Sequence, residues 1–545
     1  MTPHFRTVAV IFALVAFTVP GVVQTPYADL IIVNAKVFTG VPAMPWAEAL
    51  SVIGDRIGVV GTTAAVRTVA GSSTKVIDAA GKIVVPGIND AHVHIGENPP
   101  GTLLEGPPAM QQDPSLNEIL ARLKAAVAKA PKGGWIYGEI GARVIDDPKA
   151  TRQALDGIAP DHPVMLTSWT GHGTLFSTTA LRRLNVRDDE PDPKGGFFAR
   201  TPGTKTITGL AHEYAEYILR QRLSMMPDEQ AQRKMIERYV AEAVGFGITS
   251  VQVMATNRPA ADLARSAIDA NLPIRVRVID FPLTGMATWR RPASASARSA
   301  GLVTVSGTKW IIDGTPVERL MLLREPYSDK PASRGLQNYT VGELSSFLKL
   351  ALAQREQPML HAVGDGAIDA VLDTLEQSGG DAWRPLRPRI EHGDMLDSSR
   401  FERAKRLGVM VVQNPAHFMI PEVMAQRLGA RNARVTMMKS LIAAGVGVAI
   451  GSDGPMNPYL NVMFATINAN NPPEAMTREQ AIAAYTLGSA RAERLETQKG
   501  TISPGMLADI AMLSQDIFTV KPDALPATVS VLTLVGGKIV HEGKR

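Results

Sequence analysis

The sequence predicts an α/β protein: a distorted (β/α)8 barrel with a large insertion after its first strand, plus a small β-sandwich domain built from both termini. Two observations lead to this fold class. Eight short apolar runs alternate with helical stretches through most of the chain, as strands of a parallel sheet do. Runs with β character and Gly or Asp/Asn turns occupy both ends of the chain, where they predict a separate sheet domain.

Composition narrows the function classes. The chain has 545 residues, of which 45% are hydrophobic and 20% charged, enough for a large barrel and an accessory domain. The net charge of +5 is small for this length, and no basic run is interleaved with aromatics, so nucleic acid is not an expected partner. The absence of cysteine excludes disulfides and a thiol nucleophile. No phosphate-binding glycine motif or GxSxG motif occurs, which argues against nucleotide binding and a serine nucleophile.

Residues 1–26 are predicted to be a signal peptide. Arg6 precedes an apolar run from Val8 to Val19, followed by Pro20-Gly21 and small residues. The run is shorter than the roughly 20 residues that span a bilayer. We therefore expect an exported protein, periplasmic or secreted, without stable membrane insertion after signal removal. An uncleaved membrane anchor is the alternative interpretation.

The sandwich domain is predicted from residues 27–84 and 496–545. The N-terminal part contains "DLIIVNAKVFTG", "ALSVIGDRIGVVGT" and "TKVIDAAGKIVVPG", which predict a small antiparallel sheet. The C-terminal runs "GTISPGMLADIAMLS" and "SVLTLVGGKIVHEGK" are expected to complete it.

The barrel is predicted over residues 85–495. Its strands are "KIVVPGINDAHVH", "GITSVQVM", "PIRVRVID", "GTKWIIDG", "PMLHAVGD", "PRIEHGD", "GVMVVQNP" and "GVGVAIGSDG". The segments "SLNEIL", "TVGEL" and "TREQA" predict helix starts with capping boxes. Two further runs, "GWIYGEIGA" and "PVMLTSWTGH", are assigned to an insertion over about residues 97–245, a gap far longer than a βα loop.

Candidate metal ligands occur near the ends of predicted strands. His92 and His94 stand two apart, so they point to the same side of a strand and can approach one metal ion together. Such a pair alone is as readily structural. His361, His392 and Asp453, however, also lie at or just after strand ends, and the carboxyl ends of barrel strands converge on one face. The sequence therefore predicts one cavity mouth that contains all five side chains.

Lys309 lies inside an otherwise apolar run. A lysine that extends to the barrel rim is the simpler interpretation. A lysine beside divalent cations can instead be held neutral and react with carbon dioxide, giving a carbamate that bridges two metals.

Together these motifs resemble the amidohydrolase superfamily, and within it amidohydrolase family 3, the YtcJ-like branch. The series His-x-His, Lys, His, His and Asp falls on predicted strands one, four, five, six and eight. The matching phrases span residues 30–545 in family order and include "PGINDAHVH", "GWIYGEIGAR", "GHGTLFSTTAL", "KWIIDGT", "HAVGDGAID", "RIEHGDML", "GSDGP" and "AYTLGSARA".

The resemblance implies a metal-dependent hydrolase with two divalent metal ions. His92 and His94 would bind the more buried metal, His361 and His392 the more exposed one, and carboxylated Lys309 would bridge them. Asp453 would ligate the buried metal and act as base and then acid. Zinc is the expected metal, although manganese, iron, cobalt and nickel suit the same ligands. We expect a metal-bound hydroxide to cleave a C-N bond of a small molecule: an amide, an N-acyl group or a cyclic amide.

The resemblance also assigns further residues. His172 would orient substrate, with a loop histidine as the alternative. Asp365 would hydrogen-bond a ligand histidine, with a helix N-cap as the alternative. We interpret His417 as a surface histidine, with a place at the cavity mouth as the alternative. We interpret Glu213 as part of a solvated face of a helix on the insertion. The family commonly has Ala-Gln after "RIEH", whereas this chain has Gly393 and Asp394, which can alter the surroundings of the metal.

Rival functions remain open at this stage. A mononuclear deaminase or an ester hydrolase could use the same scaffold, but a deaminase usually has a Glu shortly after the strand-five histidine, where this chain has Asp365. A non-catalytic scaffold that lost the chemistry would normally lack a ligand residue, and none of the six is missing. An envelope sensor or solute-binding protein would not explain six metal-type residues at strand ends. The resemblance makes a homodimer an expected assembly.

Overall fold

The computed structural model describes residues 27–96, 98–283 and 300–543. The predicted signal peptide, residues 1–26, lies outside the described residues, so export stays a prediction. Homodimer formation also stays a prediction, because the structure contains a single chain. In the described ranges the strands form four sheets. No helix in these ranges combines the length and apolarity needed to cross a bilayer.

The strands of the described residues are numbered in chain order. They are β1 (Ala28–Val33), β2 (Lys36–Phe38), β3 (Trp46–Ala47), β4 (Ala49–Ile53), β5 (Arg56–Gly61), β6 (Ala70–Asp78), β7 (Ile83–Pro86), β8 (Ile88–Val93), β9 (Gly101–Leu103), β10 (Trp135–Ile140), β11 (Val164–Ser168), β12 (Gly173–Phe176), β13 (Gly196–Arg200), β14 (Ile207–Glu213), β15 (Ile248–Met254), β16 (Arg275–Asp280), β17 (Val303–Ile311), β18 (Pro358–Ala362), β19 (Arg389–His392), β20 (Met410–Gln413), β21 (Gly447–Ile450), β22 (Ile510–Leu513), β23 (Ser530–Val535) and β24 (Lys538–Glu542).

The α-helices of the described residues are numbered in the same way. They are α1 (Thr63–Arg67), α2 (Ala109–Gln112), α3 (Leu116–Val127), α4 (Ala142–Ile145), α5 (Arg152–Asp156), α6 (Thr178–Arg183), α7 (Tyr214–Ser224), α8 (Glu229–Gly245), α9 (Ala260–Asp269), α10 (Val341–Ala353), α11 (Asp365–Ser378), α12 (Phe401–Leu407), α13 (Pro421–Leu428), α14 (Met438–Ala444), α15 (Pro458–Ile467), α16 (Arg478–Ala483) and α17 (Ser489–Ala492). The three predicted capping boxes are confirmed at the starts of α3, α10 and α16.

Eight parallel strands form the barrel in the order β8, β15, β16, β17, β18, β19, β20 and β21. The predicted eight-strand α/β barrel is therefore confirmed. Strands such as β15 (ITSVQVM) are buried along their whole length because the barrel core covers one face and helices cover the other. The barrel nearly closes between β21 and β8, where the Asp453 N–H donates to the His92 carbonyl at 2.9 Å. All eight carboxyl ends lie on one face.

The insertion after the first barrel strand has its own six-stranded sheet. Its order is β13, β14, β12, β11, β10, β9, and it contains both runs that were excluded from the barrel, as β10 and β11. Helices α3 and α5 cover one side through an apolar cluster that includes Ile119, Leu155 and Leu166. The insertion thus folds around its own core and rejoins the barrel at β15.

Both termini build the sandwich, in sheets of order β5, β4, β1, β6 and β24, β23, β22, β7, β2, β3. A shared core that includes Ile32, Val84 and Ile510 joins them. The prediction of a purely antiparallel sheet was wrong, because β1 pairs with β6 and β2 with β7 in parallel.

The first predicted barrel run is also divided. Residues 83–86 belong to the sandwich as β7, and the barrel strand β8 begins at Ile88. Gly87 lies at the division, where a Cβ atom would overlap the side chain of Thr249. The sandwich therefore extends slightly beyond the predicted boundary at residue 84.

Candidate metal centre

All six predicted ligands lie at the carboxyl end of the barrel. His92, Lys309, His361 and His392 are in β8, β17, β18 and β19, His94 follows β8, and Asp453 follows β21. His392 and Asp453 have left-handed backbones, with φ of 69° and 47°. Non-glycine residues adopt this conformation at a cost of about 1–3 kcal/mol, and such strain is concentrated at functional sites.

His92 lies at the centre of the buried half of the site. Its Nε2 atom is 2.9 Å from Lys309 Nζ and 3.2 Å from His94 Nε2. His94 Nε2 in turn lies 3.0 Å from Asp453 Oδ1. These four side chains therefore present their polar atoms to one small volume.

His361 and His392 form the other half. Their rings are 4.3 Å apart between centroids, and His392 Nδ1 lies 3.6 Å from Asp453 Oδ2. Both rings are buried, yet no ring nitrogen of either has a hydrogen-bond partner among the described residues. Buried polar atoms are rarely left without a partner, so these nitrogens indicate a ligand site.

The donor set fits a metal ion. His92, His392 and Asp453 each offer one atom, and these atoms all lie within 4.8 Å of one another. Burial lowers the pKa of His94 to about 4 and holds those of His361 and His392 well below the ordinary value, so neutral imidazoles can offer lone pairs. Burial also opposes the charge of Asp453, but the nearby His92, His94 and Lys309 hold its pKa well below the usual range.

Lys309 is completely enclosed in this site. Burial lowers the pKa of its amine to about 8, closer to neutrality than an exposed lysine. The interpretation as a rim lysine is therefore not supported, because the side chain is 2% exposed and its Nζ faces His92.

Glu391 orients His92, and the sequence analysis missed it. Its Oε2 lies 2.6 Å from His92 Nδ1, and Arg389 donates to its two oxygens at 2.6 and 2.9 Å. Burial opposes its charge, but Arg389 and His92 hold the pKa of Glu391 at about 2. A carboxylate only accepts hydrogen bonds, so His92 donates from Nδ1 and keeps the Nε2 lone pair for a metal. The signal was available: Arg389 and Glu391 are charged residues two apart in a buried strand.

Thr256 and Asp90, which were not predicted, form hydrogen bonds that position the residues of the buried half of the site. Thr256 Oγ1 lies 2.6 Å from His94 Nδ1. Asp90 Oδ1 accepts hydrogen bonds from the backbone N–H groups of Ser452, at 2.8 Å, and His92, at 3.2 Å. Burial raises the pKa of Asp90 to about 7. This carboxyl thus links β8 to the loop that carries Asp453.

The structure does not place Asp365 beside a ligand histidine. Asp365 is the first residue of α11, after the N-cap Gly364, and its Oδ1 accepts the backbone N–H of Arg324 at 3.0 Å. Asp313 approaches His361 instead, with its Oδ1 3.9 Å from His361 Nε2. Backbone N–H groups of Leu322, Val363 and Gly364 fix that carboxyl at 2.8–3.0 Å. The aspartate that follows the histidine in sequence turns away because the helix begins there.

His172 comes from the insertion and reaches the site, as predicted. Its ring lies 4.5 Å from that of His361 between centroids, and its Nδ1 is 3.0 Å from Glu213 Oε1. Burial opposes protonation, but Glu213 outweighs it and raises the pKa of His172 above the ordinary value. The interpretation of Glu213 as a solvated residue was wrong: it is fully buried and also accepts from Asn338 at 3.1 Å.

The insertion is fixed over the barrel mouth by Glu318, which lies after β17. Its Oε1 accepts hydrogen bonds from Ser168, at 2.5 Å, and from Thr170, at 2.6 Å, both in the insertion. This contact holds the segment that contains Trp169 and His172 against the barrel. The position of His172 therefore depends on side chains far apart in sequence.

His417 is buried, so its prediction as a surface histidine was wrong. Its ring stacks on that of His392, with an interplanar angle of 11° and centroids 4.9 Å apart. Its Nδ1 lies 3.1 Å from Oδ2 of Asp394, the residue that departs from the usual family wording. Burial opposes protonation, but Asp394 and Asp453 outweigh it and raise the pKa of His417.

A (β/α)8 barrel with candidate histidine and carboxylate ligands at its strand ends is typical of metal-dependent hydrolases. The family model described as "Amidohydrolase family" matches residues 75–541, and the chain belongs to this family. Membership confirms the resemblance found from the sequence motifs and implies a metal cofactor and a small-molecule substrate.

Two relatives and one solved structure show the extent of the similarity. Protein LONG AFTER FAR-RED 3 of Arabidopsis thaliana is 29% identical, covering 94% of this chain and 92% of that protein. An N-substituted formamide deformylase of Arthrobacter pascens is 25% identical, covering 95% and 99%. The crystal structure of an uncharacterized metal-dependent hydrolase from Pyrococcus horikoshii OT3 superposes with a TM-score of 0.68 at 23% identity, covering 91% and 99%. That likeness shows the fold.

Proposed function

We propose that the protein hydrolyses a C-N bond of a small molecule, an amide, an N-acyl group or a cyclic amide, with Asp453 as the proton shuttle. The observation that carries this proposal is that the buried ring nitrogens of His361 and His392 have no hydrogen-bond partner in the described part of the chain and lie near ionised Asp453. The similarity to an N-substituted formamide deformylase supports a C-N bond as the target.

The six ligands divide into two sets in this proposal. His92, His94 and Asp453 would hold the buried metal, His361 and His392 would hold the exposed one, and Lys309, as a carbamate, would supply ligand oxygens to both. Bound divalent metals, with zinc as the proposed ion, would polarise the scissile carbonyl and lower the pKa of a water molecule. Asp453 accepts a proton from the attacking water and passes it to the departing nitrogen, so that the C-N bond breaks with a neutral amine as leaving group.

The environment of Lys309 supports carboxylation. Its Nζ lies 2.9 Å from His92 Nε2, so a cationic amine would oppose a metal ion bound there. In the modification, the neutral amine nitrogen forms a bond to the carbon of carbon dioxide and releases one proton. The product is an anion with two oxygens, which replaces a repelled cation with two ligand atoms.

A mononuclear deaminase or ester hydrolase is the second candidate. It is favoured by the compact set of His92, His392 and Asp453, whose donor atoms lie within 4.8 Å and can hold one ion without Lys309.

Metal content tests both candidates. Protein purified with bicarbonate and without chelator is compared with Lys309→Met by elemental mass spectrometry. The dinuclear proposal expects about two metals per chain and a loss of metal in the variant. Lys499→Met is the matched control, because Lys499 is also buried but pairs with Glu493 and Ser250. One metal in both wild type and Lys309→Met would favour the mononuclear candidate.

Activity is then measured on N-formyl and N-acetyl amines, lactams, esters and aminopyrimidines, before and after chelation. Chelator-sensitive release of amine supports the proposal. Selective loss of ammonia from aminopyrimidines, or turnover of esters alone, would replace it with the second candidate. Adding acetate to Lys309→Ala tests the bridge, because a free carboxylate can occupy the space of the carbamate and restore metal binding.

A further inference from the structure

The His417 ring is fixed in one orientation from several sides. Asp394 holds Nδ1 at 3.1 Å, and the His392 ring stacks against one face. The Asn470 side chain donates to the His417 backbone carbonyl at 2.6 Å. Trp169, from the insertion, approaches the ring edge-on at 6.5 Å between centroids. Within the described ranges, Nε2 is the ring nitrogen of His417 that is left without a hydrogen-bond partner.

His417 Nε2 faces the reactive carboxylate. It lies 3.9 Å from Asp453 Oδ2, whereas Asp453 Oδ1 lies towards His94. This gap is too long for a direct hydrogen bond, but an atom between them can lie about 2.8 Å from both. Such an atom would lie to one side of the line that joins His417 Nε2 and Asp453 Oδ2, where it could form a hydrogen bond with each.

We propose that the leaving nitrogen of the substrate occupies this position and donates its N–H to His417 Nε2. The inference rests on the proposed function and names the substrate class: primary or secondary amides that keep a hydrogen on the leaving nitrogen. Asp453 delivers its proton to the nitrogen lone pair as the C-N bond breaks, and His417 accepts a hydrogen bond without gaining a proton. Asp394 is a positioning residue, because it accepts the Nδ1–H. In the neutral ring the Nε2 lone pair then faces the substrate, so activity is compared at a pH above the raised pKa of His417.

Matched substrates separate this hydrogen bond from a general effect on the site. A secondary amide that the wild type cleaves is compared with the matching ester and with the tertiary amide made by methylating its nitrogen, neither of which has the N–H. His417→Phe keeps an aromatic ring against His392 but removes Nε2. His162→Phe is the control, since His162 is a buried histidine of the insertion whose Nδ1 lies 3.0 Å from the Gly134 carbonyl.

We expect His417→Phe to lower kcat/KM for the secondary amide by about 10–100-fold, the range of one buried hydrogen bond. Its kcat/KM for the ester should change by less than about threefold. The preference of the wild type for the secondary amide over the tertiary amide should shrink by the same factor as the loss on the secondary amide. Asp394→Asn should lower amide turnover in the same selective way by a smaller factor. Metal content should be unchanged in each variant.

Three results would overturn the inference. Equal losses on the amide and the ester would mean that His417 acts on every leaving group, for example as a donor. Loss of metal from His417→Phe, with the His162→Phe control fully loaded, would identify His417 as a metal ligand. If the wild type cleaves no amide, the proposed function itself fails and the inference falls with it.

Discussion

Buried polar side chains lie both at the mouth of the barrel, with His361 and His392, and at its floor, which we define by Arg277, Arg389, Gln252 and Gln357. Among the described residues, every side-chain polar atom of these four floor residues has a hydrogen-bond partner. At the floor, Arg277 donates to Gln357 at 2.8 Å, and Arg389 donates to Gln252 at 2.6 Å. Gln357 in turn donates to the carbonyl of Ala492 at 2.9 Å. At the mouth, the ring nitrogens of His361 and His392 have no hydrogen-bond partner among the described residues.

The difference separates stability from function. A buried network whose members are all paired fixes the structure, and removal of one partner leaves another buried group uncompensated. A buried nitrogen without a hydrogen-bond partner destabilises the fold, because it has lost its hydrogen bonds to water. A bound ligand can offset this cost, so such nitrogens indicate a binding site. We therefore expect substitutions at the mouth to lower activity at little loss of stability, and substitutions at the floor to lower stability.

Asp453→Asn should have the largest effect, on activity. If Asp453 is the proton shuttle, as proposed, its loss should lower kcat by about 100- to 10,000-fold. The fold should persist, since asparagine tolerates the left-handed backbone of this position. Steady-state kinetics and urea unfolding of the metal-free protein measure the two effects. A variant that unfolds at clearly lower urea than wild type would show that the mouth also maintains the fold.

Arg389→Met should have the largest effect on stability. It leaves Glu391 as an uncompensated buried charge, which lowers the free energy of unfolding by about 3–5 kcal/mol. Arg403→Met is the control, because Arg403 pairs with Asp373 and Glu376 at the partly exposed surface, where such pairs contribute about 0–1 kcal/mol. Urea unfolding of both variants, free of metal, measures the difference. Equal losses would contradict the division between mouth and floor.

The strands of the barrel were predictable because apolar periodicity is local. Each of the eight barrel runs could be identified from about ten residues of sequence, and the capping boxes at Ser115, Thr340 and Thr477 from four. Strand direction in the sandwich was not predictable in this way. The parallel pairing of β1 with β6 depends on contacts between residues such as Ile31 and Val76, which no local pattern specifies.

The same contrast between local patterns and long-range contacts applies to the candidate site. The metal-type residues were identifiable from residue type and strand position, since parallel strands bring their carboxyl ends together. The groups that support them were not identifiable, because these contacts join residues far apart in sequence. Glu391 contacts His92 across the barrel, and Glu318 of the barrel contacts Ser168 of the insertion. His417 and Glu213 were misassigned for the same reason: burial depends on segments that are distant in sequence. Asp365 was misassigned for the opposite reason: it is close to His361 in sequence, but its side chain binds the backbone of Arg324 instead.

Glu391→Gln tests the link between floor and mouth. Glutamine keeps the size but loses the charge that orients His92, so metal affinity should fall about 10–100-fold. Competition with a chelator measures this change. Conservative Glu356→Gln, at a buried glutamate of the floor, is the comparison variant. Unchanged metal affinity in Glu391→Gln would mean that the tautomer of His92 is set by another group.

The same variant has a predicted pH dependence. The folded-state pKa of Glu391 is about 2, below its ordinary value of 4.5. Its charge therefore stabilises the fold above about pH 4.5, and this contribution is lost as the pH falls towards 2. The difference in unfolding free energy between wild type and Glu391→Gln should accordingly narrow over that window. A difference that stays constant would show that the pKa of Glu391 is not lowered by folding.

Asp365→Asn should have the smallest effect. Asp365 follows His361 closely in sequence, but its Oδ1 accepts the backbone N–H of Arg324 at the half-buried start of α11. Asparagine keeps an acceptor oxygen there and loses only a favourable charge near the helix N-terminus, worth about 0.3–1 kcal/mol. Metal affinity, measured by the same chelator competition as for Glu391→Gln, should not change. A tenfold loss of affinity would mean that Asp365 turns towards His361 when metal binds, and that sequence proximity was the better guide.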